Sequence, residues 1–325
     1  MRVRLPLAIT SASVVCAMAA LGAGVLIGPH AAAQAPAAEA AGLTPRAAPA
    51  EDSTVLTLLG TQGGPGITVR RAGESNLLTV RGKRYLIDAG VGVERRLAEA
   101  GAPASSISKV FITHQHNDHT AGLFGLITLY SNRAGIEIIG PPRTVELVNG
   151  MVALAKINWD IRAEQGGAKV DQMVAMYKAR DVQPGLVYQD ENVKVMAFEN
   201  EHFHLKGTPA EVNKSYAYKF VTPHKTIVFT GDTGEQKDLA KFAEGADILV
   251  CEMVSPSVLT GALGNNFHMV HEHLSPTQVG QLARDAKVKL LVLSHIVGGT
   301  DADLAEIRKW YPGKVVLGED LQVYK

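Results

Sequence analysis

The sequence predicts an α/β fold built in layers around two sheets. Three observations carry this reading. Apolar runs of strand length recur from residue 53 to the C-terminus. Stretches of helical periodicity interrupt them in the order strands, helix, strand, helices, then strands and helices again. No repeat unit is visible, and so mixed an order suits two sheets better than one parallel sheet.

In chain order, TVLTLLG, SNLLTV and KRYLIDAG read as strands, the last ending in a Gly turn. VERRLAEAG reads as a short helix with Gly101 as its stop. KVFIT is a buried strand, TAGLFGLITLY is helix-like, and IEIIG is a strand. From Thr144 to Asp181 the chain is expected to be mostly helical. Val170, Met173, Val174 and Tyr177 form its core-facing stripe. Strands return in VKVMAFE, SYAYKFVT, KTIVFTGD and DILVCEM. Ser275-Pro276-Thr277-Gln278 has the Ser-x-x-Gln capping pattern with Pro in the first turn. LLVLSH is a strand, DADLAEIRKWY a helix and KVVLGED the final strand.

The 325 residues are 46% hydrophobic and 20% charged, an ordinary globular composition. MRVR precedes a charge-free apolar stretch, Leu5 to Ile27, and then small residues. This predicts a secretory signal over residues 1–33, cut after Ala33 or after Ala35. The rival is an uncleaved membrane anchor, because the stretch is long enough to span a bilayer. The protein is therefore expected to be exported, periplasmic or secreted, and to touch a membrane only if the segment is kept. Cys16 follows Val15, where a lipoprotein site wants a small residue. Residues 34–52, rich in Ala and Pro, read as a disordered linker before a folded domain over 53–325. Lys+Arg and Asp+Glu number 32 each, so composition offers no broad basic footprint for nucleic acid. Without the first 33 residues only Cys251 remains, so no intrachain disulfide forms. Cys251 lies in an apolar strand and is expected to be buried and inert.

The chemistry concentrates in THQHNDHTAGL, Thr113 to Leu123, where a strand exits into His114, His116, Asp118 and His119. Imidazoles and carboxylates are good ligands for Zn²⁺ and similar ions. His114 and His116 can point the same way from an extended segment. Asp118 and His119 follow as the chain turns, toward a second point. Two metals about 3.5–4 Å apart activate a water and clamp a reacting ester. One loop cannot close two sites. Later strand ends offer His202, Asp232 and His295, each a single metal-competent residue. His204, two residues beyond His202, could face the same side. Asp88 reads as a support or turn residue, and His224 as a hairpin-turn residue. NNFHMVHEH, with His268 and His271, reads as a polar loop over the site.

LLGTQGGPG, LIDAG, THQHNDH, VFTGDTG and LVLSH, in that order, resemble the metallo-β-lactamase superfamily over nearly all of Thr54 to Lys325. The early LGT, LIDAGVGVERRLAEAG and the late HEHLSPTQVGQLARDAKVKLLVLSH resemble its branch of tRNase Z, arylsulfatase-like and phosphodiesterase enzymes. The resemblance implies a four-layer αβ/βα sandwich with metals at one edge between the sheets. It implies two Zn²⁺ per chain, with Mn²⁺ or Fe²⁺ as alternatives. One ion would be held by His114, His116 and His202, the other by Asp118, His119 and His295, with Asp232 bridging. A bridging hydroxide would attack the ester, Asp118 would orient it, and His273 would assist the leaving group. The implied substrates are small phosphodiesters or sulfate esters. Nucleic acid is disfavoured by the expected export, the charge balance and the lack of a Gly/Pro-rich arm. A lactonase or other carbonyl-ester or β-lactam hydrolase is the alternative, although a bridging Asp232 argues against a true β-lactamase. A non-catalytic metal-binding module is the third reading. By analogy with the superfamily, a homodimer is expected.

Overall fold

The computed structural model describes residues 53–129, 135–259 and 267–325. The expected signal over 1–33, with Cys16, and the expected linker over 34–52 lie outside the described residues. Among the described residues no helix is long and apolar enough to cross a membrane.

The first half of the chain contributes β1 (Thr54–Gly60), β2 (Ser75–Val80), β3 (Lys83–Ile87), α1 (Val93–Glu99), β4 (Ile107–Phe111), α2 (Asn117–Thr120), α3 (Leu123–Leu129), β5 (Ile136–Gly140), α4 (Thr144–Glu164), α5 (Val170–Val174) and β6 (Tyr177–Asp181). The second half contributes β7 (Gly185–Gln189), β8 (Lys194–Glu199), β9 (Tyr216–Val221), β10 (Thr226–Phe229), α6 (Lys237–Phe242), β11 (Ile248–Val254), α7 (Pro256–Leu259), α8 (Phe267–His271), α9 (Pro276–Asp285), β12 (Leu290–Val297), α10 (Asp301–Trp310), β13 (Lys314–Leu317) and β14 (Val323–Tyr324).

Two seven-stranded sheets result, in the orders β14-β1-β2-β3-β4-β5-β6 and β13-β12-β11-β10-β9-β8-β7. β1 and β11 are buried along their whole length, which is why they read as continuous apolar runs and not as alternating ones. Three apolar clusters separate four layers. Leu86, Val110 and Ile138 pack under Val148, Val152 and Trp159 of α4. Phe111, Tyr85 and Leu78 of one sheet meet Tyr218, Phe220 and Val250 of the other. Leu249 and Leu291 pack under Leu239, Val279 and Ile307 of the helices beyond. This is the αβ/βα sandwich. The capping box at Ser275 forms as its pattern predicts, with Ser275 accepting from the Gln278 N–H.

Three expectations need correction. The stretch to Asp181 is mostly helical as expected, in α4 and α5, but Tyr177 does not belong to its stripe: α5 stops at Val174 and Tyr177 opens β6, parallel to β5. Tyr177 matched the helical spacing because it is buried, but it stacks on Trp159 from a strand. KVVLGED is not the last strand, since β14 follows it and pairs with β1. The middle of NNFHMVHEH is not a loop, because residues 267–271 form α8; the side chain of His268 lies outside the described ones. The unanticipated strands β6, β7 and β14 sit at sheet ends. Edge strands are short and tolerate polar residues, so they lack the apolar run that marks a central strand.

One polar network ties the sheets together away from the site. The Asp190 carboxylate accepts from the Tyr85 and Tyr188 hydroxyls at 2.8 Å each, and from the Asn192 and Val193 N–H groups at 2.9 Å each. It also pairs with Lys83 at 2.9 Å. Burial opposes its charge, but Lys83 and the other donors outweigh burial and bring its pKa down to about 2. A pKa lowered on folding stabilises above the unfolded value near 4 and is lost as pH falls through the folded value. Solvent screens a group only partly withdrawn from water, so Asp190→Ala should cost about 1–2 kcal/mol at neutral pH. In urea titrations, the gap to wild type should close between about pH 4 and 2. A constant gap across that window would exclude the charge as its source.

Candidate metal centre

Four strand exits converge on one edge between the sheets. β4 leads into His114 and His116, and α2 carries Asp118 and His119 immediately after. β8 leads to His202, β10 to Asp232, and His295 lies near the end of β12. Gly231 adopts φ +60°, and a Cβ there would stand 2.9 Å from the Thr113 Cβ. Glycine thus lets the exits of β4 and β10 touch, which brings Asp232 beside the histidine loop.

The seven side chains form two groups. His114 Nε2 lies 3.0 Å, and His202 Nε2 3.2 Å, from His116 Nδ1. In the second group, His295 Nε2 is 3.1 Å and His119 Nε2 3.7 Å from Asp118 Oδ2. The Asp232 carboxylate stands 3.3 Å from both His119 Nε2 and His295 Nε2. It is also 3.9 Å from both His114 Nε2 and His202 Nε2. Six of the seven are buried; His116 is exposed, so the centre opens to solvent on its side.

The donors are aimed by their neighbours. Asp88, at φ +58°, accepts from the Thr113 N–H and hydroxyl and lies 2.8 Å from His119 Nδ1. That leaves His119 Nε2 toward the centre, and the expected supporting role of Asp88 takes this form. His202 Nδ1 lies 3.0 Å from the Glu272 carbonyl. His295 adopts φ +49°, uncommon for a residue with a side chain. Its N–H and the Ser294 hydroxyl both donate to the Glu74 carboxylate, at 2.8 and 2.7 Å. Burial raises the Glu74 pKa to about 7. The Gly64 N–H points at His295 Nε2 from the glycine-rich loop, 3.3 Å away. That loop is anchored by Asp320, which accepts from the Thr61 and Ala72 N–H groups.

Burial lowers the pKa of His114 well below the usual value and that of His202 to about 4, so each keeps a free nitrogen lone pair at neutral pH. Burial would raise the Asp232 carboxyl, but the imidazoles of His295, His119 and His114 hold it well below the usual range. His119 Nε2 and Asp232 Oδ1 are buried and face each other at 3.3 Å without hydrogen-bond geometry. Unsatisfied buried polar atoms are costly unless an ion completes them. Nitrogens on one tetrahedral zinc, at about 2.0–2.1 Å from it, stand roughly 3.3 Å apart. The imidazole nitrogens of the first group meet that spacing. The residues present therefore fit divalent metal of zinc type.

His273 lies beside this cluster. Its Nδ1 is 2.7 Å from Glu252 Oε2 and its ring stacks over His295. Burial opposes a charge on His273, but the Glu252 carboxylate reverses this and raises its pKa to about 9. His204 is not in the cluster; its Nδ1 is 3.1 Å from Glu272 Oε1 at the surface. His271 is exposed beside it, and His224 sits in the β9–β10 turn. Cys251 is buried in β11, and burial pushes its thiol up. Sequence reasoning missed Glu74, Glu252 and Glu272. For Glu252 a signal was present: an acid inside an otherwise apolar strand is rarely buried without a partner.

The β-lactamase superfamily domain model matches residues 83–296. A ribonuclease Z of Mycobacterium sp. (strain KMS) is 31% identical over 277 residues, which cover 82% of this chain and 94% of that protein. The short form of human tRNase Z has 25% identity and a TM-score of 0.58, covering 83% of this chain and 98% of the other. The metallo-β-lactamase fold protein YhfI of Bacillus subtilis has 20% identity and a TM-score of 0.64, covering 84% and 99%. With these matches and a donor set fit for metal, the chain belongs to the metallo-β-lactamase superfamily, as a tRNase Z-like, metal-dependent hydrolase.

Proposed function

We propose that this protein hydrolyses phosphodiesters at a two-metal centre. His114, His116 and His202 would hold one ion, and Asp118, His119 and His295 the other, with Asp232 shared. The observation that carries this is the Asp232 carboxylate, within 3.3 Å of one group and 3.9 Å of the other. When bound, such ions supply Lewis acidity and make water a nucleophile at neutral pH. Asp118 orients that water with the carboxylate oxygen left over from its contact to His295. Glu252 holds the proton-bearing Nδ1 of His273, so that Nε2 can give a proton to the departing oxygen.

Relatives named ribonuclease Z and tRNase Z support a phosphodiester over a sulfate ester as the bond class. They also weigh against the expectation that nucleic acid is not a substrate, while the balance of 32 basic and 32 acidic residues weighs for it. A carbonyl ester or lactone is the second reading. An apolar cleft bordering His116 favours it.

The test is turnover by zinc-loaded protein of bis-p-nitrophenyl phosphate, p-nitrophenyl sulfate and an alkyl lactone. Diester hydrolysis is expected, and it should vanish with a chelator or in His114→Ala. Turnover of the lactone alone would replace the first reading by the second.

A further inference from the structure

Two clefts flank the metal centre and differ in chemistry. On the Asp118 side the wall is the glycine-rich loop with Arg71, Arg95 and Arg96. Arg71 donates to Thr61 and Gly318, and Arg96 pairs with Glu99 and Asp320, so both cations already serve the fold. On the His116 side lies a cleft of about 730 Å³, a volume that suits a small organic ligand. Phe124, Leu147, Met151, Leu154, Phe203 and Leu205 line it. Its cation, Arg143, is bound by Glu146 through two contacts of 2.8 and 3.0 Å.

The cleft is continuous with the centre. His116 belongs to both, and the Phe203 ring lies 5.1 Å from His116 and 4.7 Å from His202. Leu147, Met151 and Leu154 stand on one face of α4 at helical spacing. Beyond the cleft the same face carries Ile157 and Ile161, exposed by 65% and 55%. Covering such a wall with an apolar ligand removes apolar area from water, which is favourable in proportion to the area covered. A sugar–phosphate chain wants donors and cations along its path, and this wall supplies neither in quantity.

We infer that the His116-side cleft is a substrate subsite for one elongated apolar ester substituent, so that the preferred substrate is an amphipathic phosphodiester carrying a medium-chain alkyl group. This rests on the phosphodiesterase reading for the bond that is cut, but not for the occupancy of the cleft. The alkyl chain lies along Leu147, Met151 and Leu154, and the anionic ester sits at the metal centre beside His116.

The test separates the two. Binding of octylphosphonate and methylphosphonate to the zinc-loaded protein is measured by calorimetry. Octylphosphonate is expected to bind about 50-fold tighter, the gain from roughly three buried methylenes. Leu154→Asp, at a position exposed on α4, should narrow that ratio, and Met151→Gln should narrow it further. A ratio near one, or one that neither variant changes, overturns the inference. In parallel, octyl p-nitrophenyl phosphate should be cleaved with a higher kcat/KM than methyl p-nitrophenyl phosphate or thymidine 5′-p-nitrophenyl phosphate, all three losing the same leaving group. Faster cleavage of the nucleotide ester overturns the inference in favour of a nucleic-acid substrate. A preserved binding ratio with no diester cleaved keeps the subsite and removes the phosphodiesterase reading.

Discussion

Asp232→Ala is expected to release bound metal and to lower kcat/KM for bis-p-nitrophenyl phosphate by on the order of 10³-fold or more. The reason is electrostatic. Asp232 is buried among four imidazoles, at 3.3 to 3.9 Å from their Nε2 atoms. It supplies the negative charge shared by both groups, with Asp118 confined to one of them. Without it, each ion of the proposed pair would be left with mostly neutral donors. Asp232→Asn keeps the shape and removes only the charge, so it separates packing from electrostatics. Metal analysis of the dialysed proteins, beside kcat/KM and a melting curve, is the check. Two retained ions with near-normal turnover would remove Asp232 from the shared position.

Glu252→Gln should give a different signature: metal content kept, and a rate deficit that grows as the leaving group worsens. The Glu252 carboxylate accepts from the Thr233 N–H at 2.7 Å through one oxygen and contacts His273 Nδ1 at 2.7 Å through the other. Glutamine can keep the first bond with its carbonyl, but it then presents an N–H to an N–H at His273. The imidazole must give up that contact or move its proton from Nδ1 to Nε2, and it loses the carboxylate that supports a charged ring. A proton donor matters little when p-nitrophenolate leaves and greatly when an alkoxide leaves, so the loss should approach about 10²–10⁴-fold only for poor leaving groups. The measurement is kcat across diesters of graded leaving-group pKa. A uniform loss, or loss of metal, would make Glu252 a structural prop of the loop after Asp232 and not a partner in proton transfer.

The central strands were legible because they are buried on both faces and show as apolar runs. The edges β6, β7 and β14 were not, because they lack the apolar run that the fourth edge, β13, keeps in KVVL. The same division holds at the site. His114, His116, Asp118 and His119 stand within six residues, so local spacing alone marked them. His202, Asp232 and His295 each stood alone at a strand exit, and became informative only in company with that cluster. The supports divide too: Asp88, behind His119, was read as a support or turn residue, whereas Glu74, 221 residues before His295, carried no signal.

Local pattern alone was enough for the two-sheet α/β class, the capping box at Ser275 and the local half of the donor set. These depend on neighbours along the chain, where periodicity and spacing act directly. Long-range packing brings His202 and not His204 into the cluster, sets Asp232 within 3.9 Å of both groups, puts Glu252 behind His273 and opens an apolar cleft beside His116. Each of these is a contact between strand exits or helices far apart in the chain. Such contacts are set by how the two sheets pack face to face, which no local pattern of residues encodes.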